Sequence, residues 1–253
     1  MLPSLFISHG SPMMPLRDSP ARDFLRGLGA SLPRPKAILV ASAHWDTETP
    51  EISAPPVNDT IYDFYGFPPP LYALRYPAPG DAALAKEIAA TLGASVDHER
   101  GLDHGAWVPL LLMYPEHDIP VMQLSLQSYL GPEHHLLLGR SLAALRAQGV
   151  LVIGSGGLTH NLRRQRAPTD DSPAAPDVDA FAGWMHDALI EGRTEDLLDY
   201  RRQAPYAAAQ HPTDEHLLPL YVAMGAGGEN AHATRLHAST SYGVLRMDTY
   251  AFG

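Results

Sequence analysis

A single α/β domain with a mostly parallel central sheet, covered by helices on both faces, is predicted by three observations. The chain has 253 residues, a length that α/β folds commonly enclose in one core. Four short apolar runs bounded by turn residues, at 2–8, 37–43, 119–126 and 150–155, read as strands buried on both sides. Longer stretches with helical spacing separate and follow them, and strands alternating with helices build a parallel sheet through crossover connections.

In chain order, the strand at 2–8 runs into His9-Gly10-Ser11-Pro12, a turn whose glycine permits close approach of backbone to ligand. The strand at 37–43 runs into His44-Trp45. The stretch 50–79 is rich in proline and reads as a loop, yet it carries Tyr62, Phe64, Tyr65, Phe67, Tyr72 and Tyr76. Loops this long in a compact domain are usually functional or disordered, and the aromatic content favours an ordered wall facing a planar substrate. Helices are predicted over 81–92, 106–113 and 133–148, with His104 at the entry to the second. The strand at 150–155 leads into Gly156-Gly157-Leu158-Thr159-His160-Asn161. A second Pro-rich loop, 167–176, precedes helices over 178–191 and 215–224, with Thr213 or Asp214 as N-cap of the last. The closing segment 243–250 alternates apolar and polar residues and reads as an edge strand. No internal repeat divides 1–253, which is taken as one catalytic domain.

Composition narrows the function. A net charge of −10 argues against nucleic acid, which needs clustered Lys and Arg; the one basic run, Arg163-Arg164-Gln165-Arg166, reads as a solvated helix end or loop. Without cysteine there is neither a disulfide framework nor a thiolate metal site, so a metal must be held by imidazole and carboxylate. Thirteen histidines supply the imidazole. The first residues lack the basic and apolar regions of a signal peptide, and no stretch reaches the ~20 apolar residues that cross a bilayer. A cytoplasmic protein that does not engage membranes is therefore expected, with homo-oligomerisation left open.

Histidines at the ends of predicted strands point to one metal-centred site, because ligands of open α/β sheets gather beyond the carboxyl ends of the strands. His9 alone would read as a hydrogen-bonded loop residue; His44 in the same setting turns the balance toward a shared ion. His216 joins them as a first-turn residue of the last helix. Glu215 beside it reads first as a complement to the helix dipole and second as a ligand. Three imidazoles leave open positions, the mark of a catalytic metal, and they suit Zn(II) hydrolysis or Fe(II) oxygen chemistry equally. His160, between flexible glycines and Asn161, is suited to acid/base work, an unperturbed imidazole titrating near ~6.5, and is alternatively a fourth ligand. His104 is placed to orient substrate, the bland alternative being a bystander beside a capping Asp103. His211 reads as a loop residue or a support for the others, and His98, His117, His134, His135, His186, His232 and His237 as surface.

Six motifs in order, Phe6-Ile7-Ser8-His9-Gly10-Ser11-Pro12-Met13, Ser42-Ala43-His44-Trp45, Tyr76-Pro77-Ala78-Pro79-Gly80, Asp103-His104-Gly105-Ala106-Trp107, Ser155-Gly156-Gly157-Leu158-Thr159-His160-Asn161-Leu162 and Glu215-His216-Leu217-Leu218-Pro219-Leu220, resemble the class III extradiol ring-cleaving dioxygenases, in the single-chain DOPA-type branch. The resemblance spans nearly the whole chain. It implies a non-haem Fe(II) enzyme with His9, His44 and His216 as ligands, His160 as the acid/base residue, and a catechol and O2 as substrates converted to an open-chain semialdehyde. Zn(II) is expected to occupy the same site in isolated protein, because it outcompetes Fe(II) at most nitrogen sites. Three neutral imidazoles would leave the iron two positive charges, so ionisation of a bound catechol is favoured. The aromatics of 62–76, Tyr242 and Arg163 are the candidates for reading ring substituents.

The main rival is a zinc-dependent hydrolase using the same three-His site. The opening strand and His9-Gly10-Ser11 also resemble tetrapyrrole metal chelatases, which do not account for the motif around His160. A non-catalytic metal-binding module would need a closed coordination shell, at odds with the glycine-rich loops.

Overall fold

The computed structural model describes residues 1–164 and 172–253. Its strands are β1 (Ser4–Ser8), β2 (Ala37–Asp46), β3 (Glu51–Ser53), β4 (Ser95–Asp97), β5 (Val121–Leu126), β6 (Val150–Gly156), β7 (Ala233–His237), β8 (Thr240–Ser241), β9 (Leu245–Arg246) and β10 (Thr249–Phe252). The helices are α1 (Pro20–Ser31), α2 (Pro69–Tyr72), α3 (Ala82–Leu92), α4 (His104–Met113), α5 (Gly131–Leu142), α6 (Pro176–Ile190), α7 (Thr194–Leu198), α8 (Tyr200–Gln203), α9 (Ala207–Gln210) and α10 (Leu218–Gly227). Eight strands form one sheet in the order β4-β3-β5-β2-β6-β1-β10-β7. The central run β5-β2-β6-β1 is parallel throughout, as predicted. Antiparallel partners flank it, β3 on β5 and β10 on β1.

Strand alternation explains why the four apolar runs became the sheet's centre. Leu39 and Ala41 of β2 and Val152 of β6 join the core beneath α3, α5 and α10, represented by Ala85, Leu136 and Leu218. Their neighbours Ile38, Val40, Leu151 and Ile153 join the opposite core with Leu25 of α1 and Trp107 of α4. With apolar residues pointing both ways, the strands can only sit between two helical layers, which is the predicted architecture.

Three local expectations are corrected. The segment 243–250 is not an edge strand: β9 pairs with β8 in a separate ribbon, while β10 lies inside the sheet between β1 and β7. The edge is β7, whose residues 234–236 are exposed and lack the apolar run that marks a buried strand. The last helix begins at Leu218 rather than Glu215, with Leu217 at its N-cap and no capping side chain. Asp214 is instead held by Tyr200 and by Arg201 Nε at 2.7 Å. Finally, α1 was not expected, although Ser19 caps it by accepting from the Arg22 N–H and Pro20 opens it. Of the two Pro-rich stretches, the first holds β3 and α2; residues 165–171, which include the end of the basic run and the first half of the second stretch, lie outside the described residues.

The approach of α10 to β6 is set by Gly154. A Cβ there would lie 1.9 Å from the Pro219 carbonyl oxygen, so an added methyl must push helix and strand apart. Gly154→Ala is expected to cost on the order of 3 kcal/mol, the upper end for overpacking a closed core. The check is the urea midpoint, which should fall at unchanged slope; an unmoved midpoint would contradict this account of the packing.

Candidate active site

The sheet brings the predicted histidines to one place. His9 follows β1, where Gly10 takes φ +60°, and its N–H donates to the Gly156 carbonyl at 3.0 Å. His44 lies inside β2 rather than beyond its end, at a break in register between Ala41 and Asp46 opposite β5; such irregularities bend a strand and re-aim a side chain. His216 sits in the turn before α10, its carbonyl accepting from the Gly157 N–H at 2.8 Å. The chain thus ties the ends of β1 and β6 and the entry to α10 together through backbone alone. His104 opens α4, and His160 lies in the loop beyond β6.

The Nε2 atoms of His9 and His44 are 3.0 Å apart. Ring centroids are 4.9 Å apart for His44 and His216, 5.6 Å for His9 and His216, and 4.0 Å for His44 and His104. His160 stacks on His216 with centroids 3.3 Å apart and planes 7° from parallel. Two sets of donor atoms, those of His9, His44 and His104 and those of His160, Glu215 and His216, each lie within 4.8 Å of one another.

Tautomers follow from the neighbours. Ser155 donates its hydroxyl to the Gly105 carbonyl, so toward His9 Nδ1, 3.0 Å away, it can only accept. His9 therefore carries its proton on Nδ1 and presents a lone pair at Nε2. His216 Nδ1 donates to Glu215 Oε1 at 3.0 Å, and its Nε2 is buried with no hydrogen-bond partner. His44 Nδ1 faces Asp63 Oδ2 at 3.4 Å. The same carboxylate accepts from His104 Nδ1 at 2.8 Å and from the His104 N–H at 3.0 Å. Carboxylate or hydroxyl behind Nδ1 and a free Nε2 in front is the arrangement that orients metal-binding histidines, so these residues fit a divalent ion. Burial, reinforced by the neighbouring imidazoles, holds His9 and His216 well below the usual histidine range. Burial likewise pushes His44 and His160 down to about 4. All four are neutral near pH 7, with lone pairs available to an ion or a proton.

In front of the cluster opens a pocket of about 440 Å³. Phe64, Tyr65 and Phe67 of the Pro-rich loop line it with Tyr242 and Leu162, as the aromatic content of that loop suggested. Tyr62 and Tyr72 pack behind them against Phe64.

A family model described as the catalytic LigB subunit of aromatic ring-opening dioxygenase matches residues 3–253. The chain belongs to this family. Among curated relatives, 4,5-DOPA dioxygenase extradiol of Beta vulgaris is 47% identical over 98% of this chain and 96% of its own. The protein of the same name from Escherichia coli K12 is 41% identical over 89% of this chain and 85% of its own. The crystal structure of an uncharacterized protein from Escherichia coli K12 superposes with a TM-score of 0.83 at 33% identity, covering both chains fully. This LigB-family chain is thus an oxidoreductase of the extradiol ring-cleaving class, in the DOPA-like branch.

Several candidate residues stand elsewhere than expected. Tyr76 is fully buried, its hydroxyl donating to the Tyr114 carbonyl at 3.1 Å, and Arg163 does not line the pocket. Asn161 supports the His160 loop by donating to the Ala209 carbonyl at 2.6 Å. Asp103 does not cap α4 with its side chain; its carboxylate accepts from Ser42 Oγ at 2.7 Å and from Gln123, a support under His44. His135 is not a surface residue: it is buried on α5, donating from Nδ1 to the Gly131 carbonyl at 2.6 Å and accepting at Nε2 from the Gln127 N–H at 3.2 Å. His211, also buried, meets the Leu158 carbonyl at 2.9 Å. Sequence reasoning missed Asp63, Arg17 and Arg246. The only signal for Asp63 was a carboxylate set among aromatics, Tyr62-Asp63-Phe64. Among the described residues, no helix is long and apolar enough to cross a membrane.

Proposed function

We propose that this enzyme is a non-haem Fe(II)-dependent extradiol dioxygenase that opens the ring of a DOPA-like or related catechol to an open-chain semialdehyde. The observation that carries the reading is the gathering of the His9, His44 and His216 rings beside the pocket, with centroids 4.9 to 5.6 Å apart and a carboxylate or hydroxyl at each Nδ1. His9, His44 and His216 would hold the metal. Fe(II) there would supply redox-active chemistry toward O2 and a bound catechol. The similarity to proteins named 4,5-DOPA dioxygenase extradiol supports a catechol as substrate.

The chain's own groups do the rest. His160, neutral and stacked on His216, accepts a proton from a catechol hydroxyl as the substrate docks and returns it to the product oxygen. No protein group among the described residues hydrogen-bonds its ring nitrogens, which leaves them to the substrate. His104, anchored twice on Asp63, keeps its Nε2 turned to the pocket and orients the second hydroxyl. Phe64, Tyr65 and Phe67 cover the ring face and keep bulk water from it.

The test is anaerobic reconstitution of metal-free protein with Fe(II) or Zn(II), followed by a catechol panel including DOPA, read by oxygen uptake and by yellow semialdehyde absorbance. Turnover with Fe(II) alone is expected. Silence with both metals despite stoichiometric binding would overturn the reading in favour of the zinc hydrolase.

A further inference from the structure

The pocket's charged groups are not balanced. Among the described residues its lining holds one carboxylate, Asp63, and that carboxylate is taken up by His104 at 2.8 Å and His44 at 3.4 Å. Two arginines line the same space. Arg246 is neutralised by Asp179 at 2.7 Å and Asp248 at 3.0 Å. Arg17 has no ion-pair partner among the described residues, because the adjacent Asp18 is drawn to Arg22 at 2.5 Å. The only side-chain hydrogen bond of the Arg17 guanidinium among these residues runs from Nη1 to the Tyr242 hydroxyl.

Tyr242 is itself held in an unusual conformation. Its φ is +55°, followed by Gly243 at +71°. A bulky residue in the left-handed region is disfavoured, and such strain concentrates at binding sites. Here the turn delivers the ring to the pocket wall and its hydroxyl to the guanidinium. An exposed arginine that lines a pocket and is steadied at one nitrogen keeps further N–H groups with which a guanidinium can meet a carboxylate. The one carboxylate among the described lining residues, Asp63, is already engaged by His104 and His44, so no unpaired carboxylate is offered to an ammonium.

Building on the ring-cleavage reading, we infer that Arg17, steadied by Tyr242, binds a carboxylate on the substrate's tail. The favoured substrate is a catechol carrying an anionic side chain and no ammonium. DOPA, with both charges, satisfies Arg17 and strands its ammonium; a purely cationic catechol strands its ammonium and leaves Arg17 unmet.

The experiment compares kcat/KM of the Fe(II)-loaded enzyme and of Arg17→Gln for 3,4-dihydroxyphenylpropionate, 4-ethylcatechol, DOPA and dopamine. In the unaltered enzyme the propionate should exceed 4-ethylcatechol by about tenfold to hundredfold, the range for a charge-assisted hydrogen-bonded contact, with DOPA between them and dopamine lowest. In Arg17→Gln the ratio of propionate to ethylcatechol should collapse toward one, mainly through KM, and Arg17→Lys should restore part of it. A ratio near one in the unaltered enzyme, or one that survives Arg17→Gln, overturns the inference while leaving ring cleavage intact. Should no catechol be cleaved, the ring-cleavage reading fails on its own. Calorimetric binding of 3-phenylpropionate to the metal-free protein then still decides the Arg17 contact, by weakening or not weakening in Arg17→Gln.

Discussion

His216→Ala is expected to lose the metal and the activity together. His216 brings the one ring nitrogen of the proposed triad that is both buried and without a hydrogen-bond partner, and its Nδ1 is fixed by Glu215. Removing even a group behind a ligand costs up to about a hundredfold in metal affinity, so loss of the ligand itself should exceed that, and ring cleavage should fall to background at sub-stoichiometric iron. Metal content by elemental analysis checks the first claim and oxygen uptake the second. Full retention of iron in His216→Ala would point instead to His104, which completes an alternative set with His9 and His44.

His160→Gln should separate chemistry from metal binding. Glutamine keeps a polar group stacked on His216 but cannot take up and return a proton. If His160 is the acid/base residue, the variant holds iron normally and binds catechol with little change in KM, while kcat falls about 10²- to 10⁴-fold, the usual contribution of a positioned general base. Iron titration beside steady-state kinetics reads both quantities. A parallel loss of iron would show that His160 is the fourth ligand, for which its 4.8 Å grouping with Glu215 and His216 leaves room.

The parallel centre of the fold was legible because its information is local: β1, β2, β5 and β6 are apolar on both sides, and that pattern has one solution. The edges were not. β7 is mostly exposed and β3 has three residues, so neither carries a periodic signal; both exist because the neighbouring strand offers unpaired backbone groups. That His9, His44 and His216 come near one another was legible because turns and sheet topology set where strand ends meet. The residues behind them were not, since Asp63 reaches His104 across 41 positions and Ser155 reaches His9 across 146, distances that no local pattern encodes. Polar context also misleads at His135, which reads as a surface residue, yet its two ring nitrogens are fully used inside the fold, which removes the cost of burying them.

The central claim is that this pocket joins one catechol to both atoms of one O2 at an Fe(II) held by histidine. The measurement that tests it most directly is single-turnover reaction of the Fe(II)-loaded enzyme with 3,4-dihydroxyphenylpropionate under ¹⁸O2, with the product mass and the oxygen consumed read together. The account predicts one O2 consumed per catechol and both labelled atoms in a single open-chain product. Label recovered as hydrogen peroxide or water, with the ring left intact as a quinone, would contradict it.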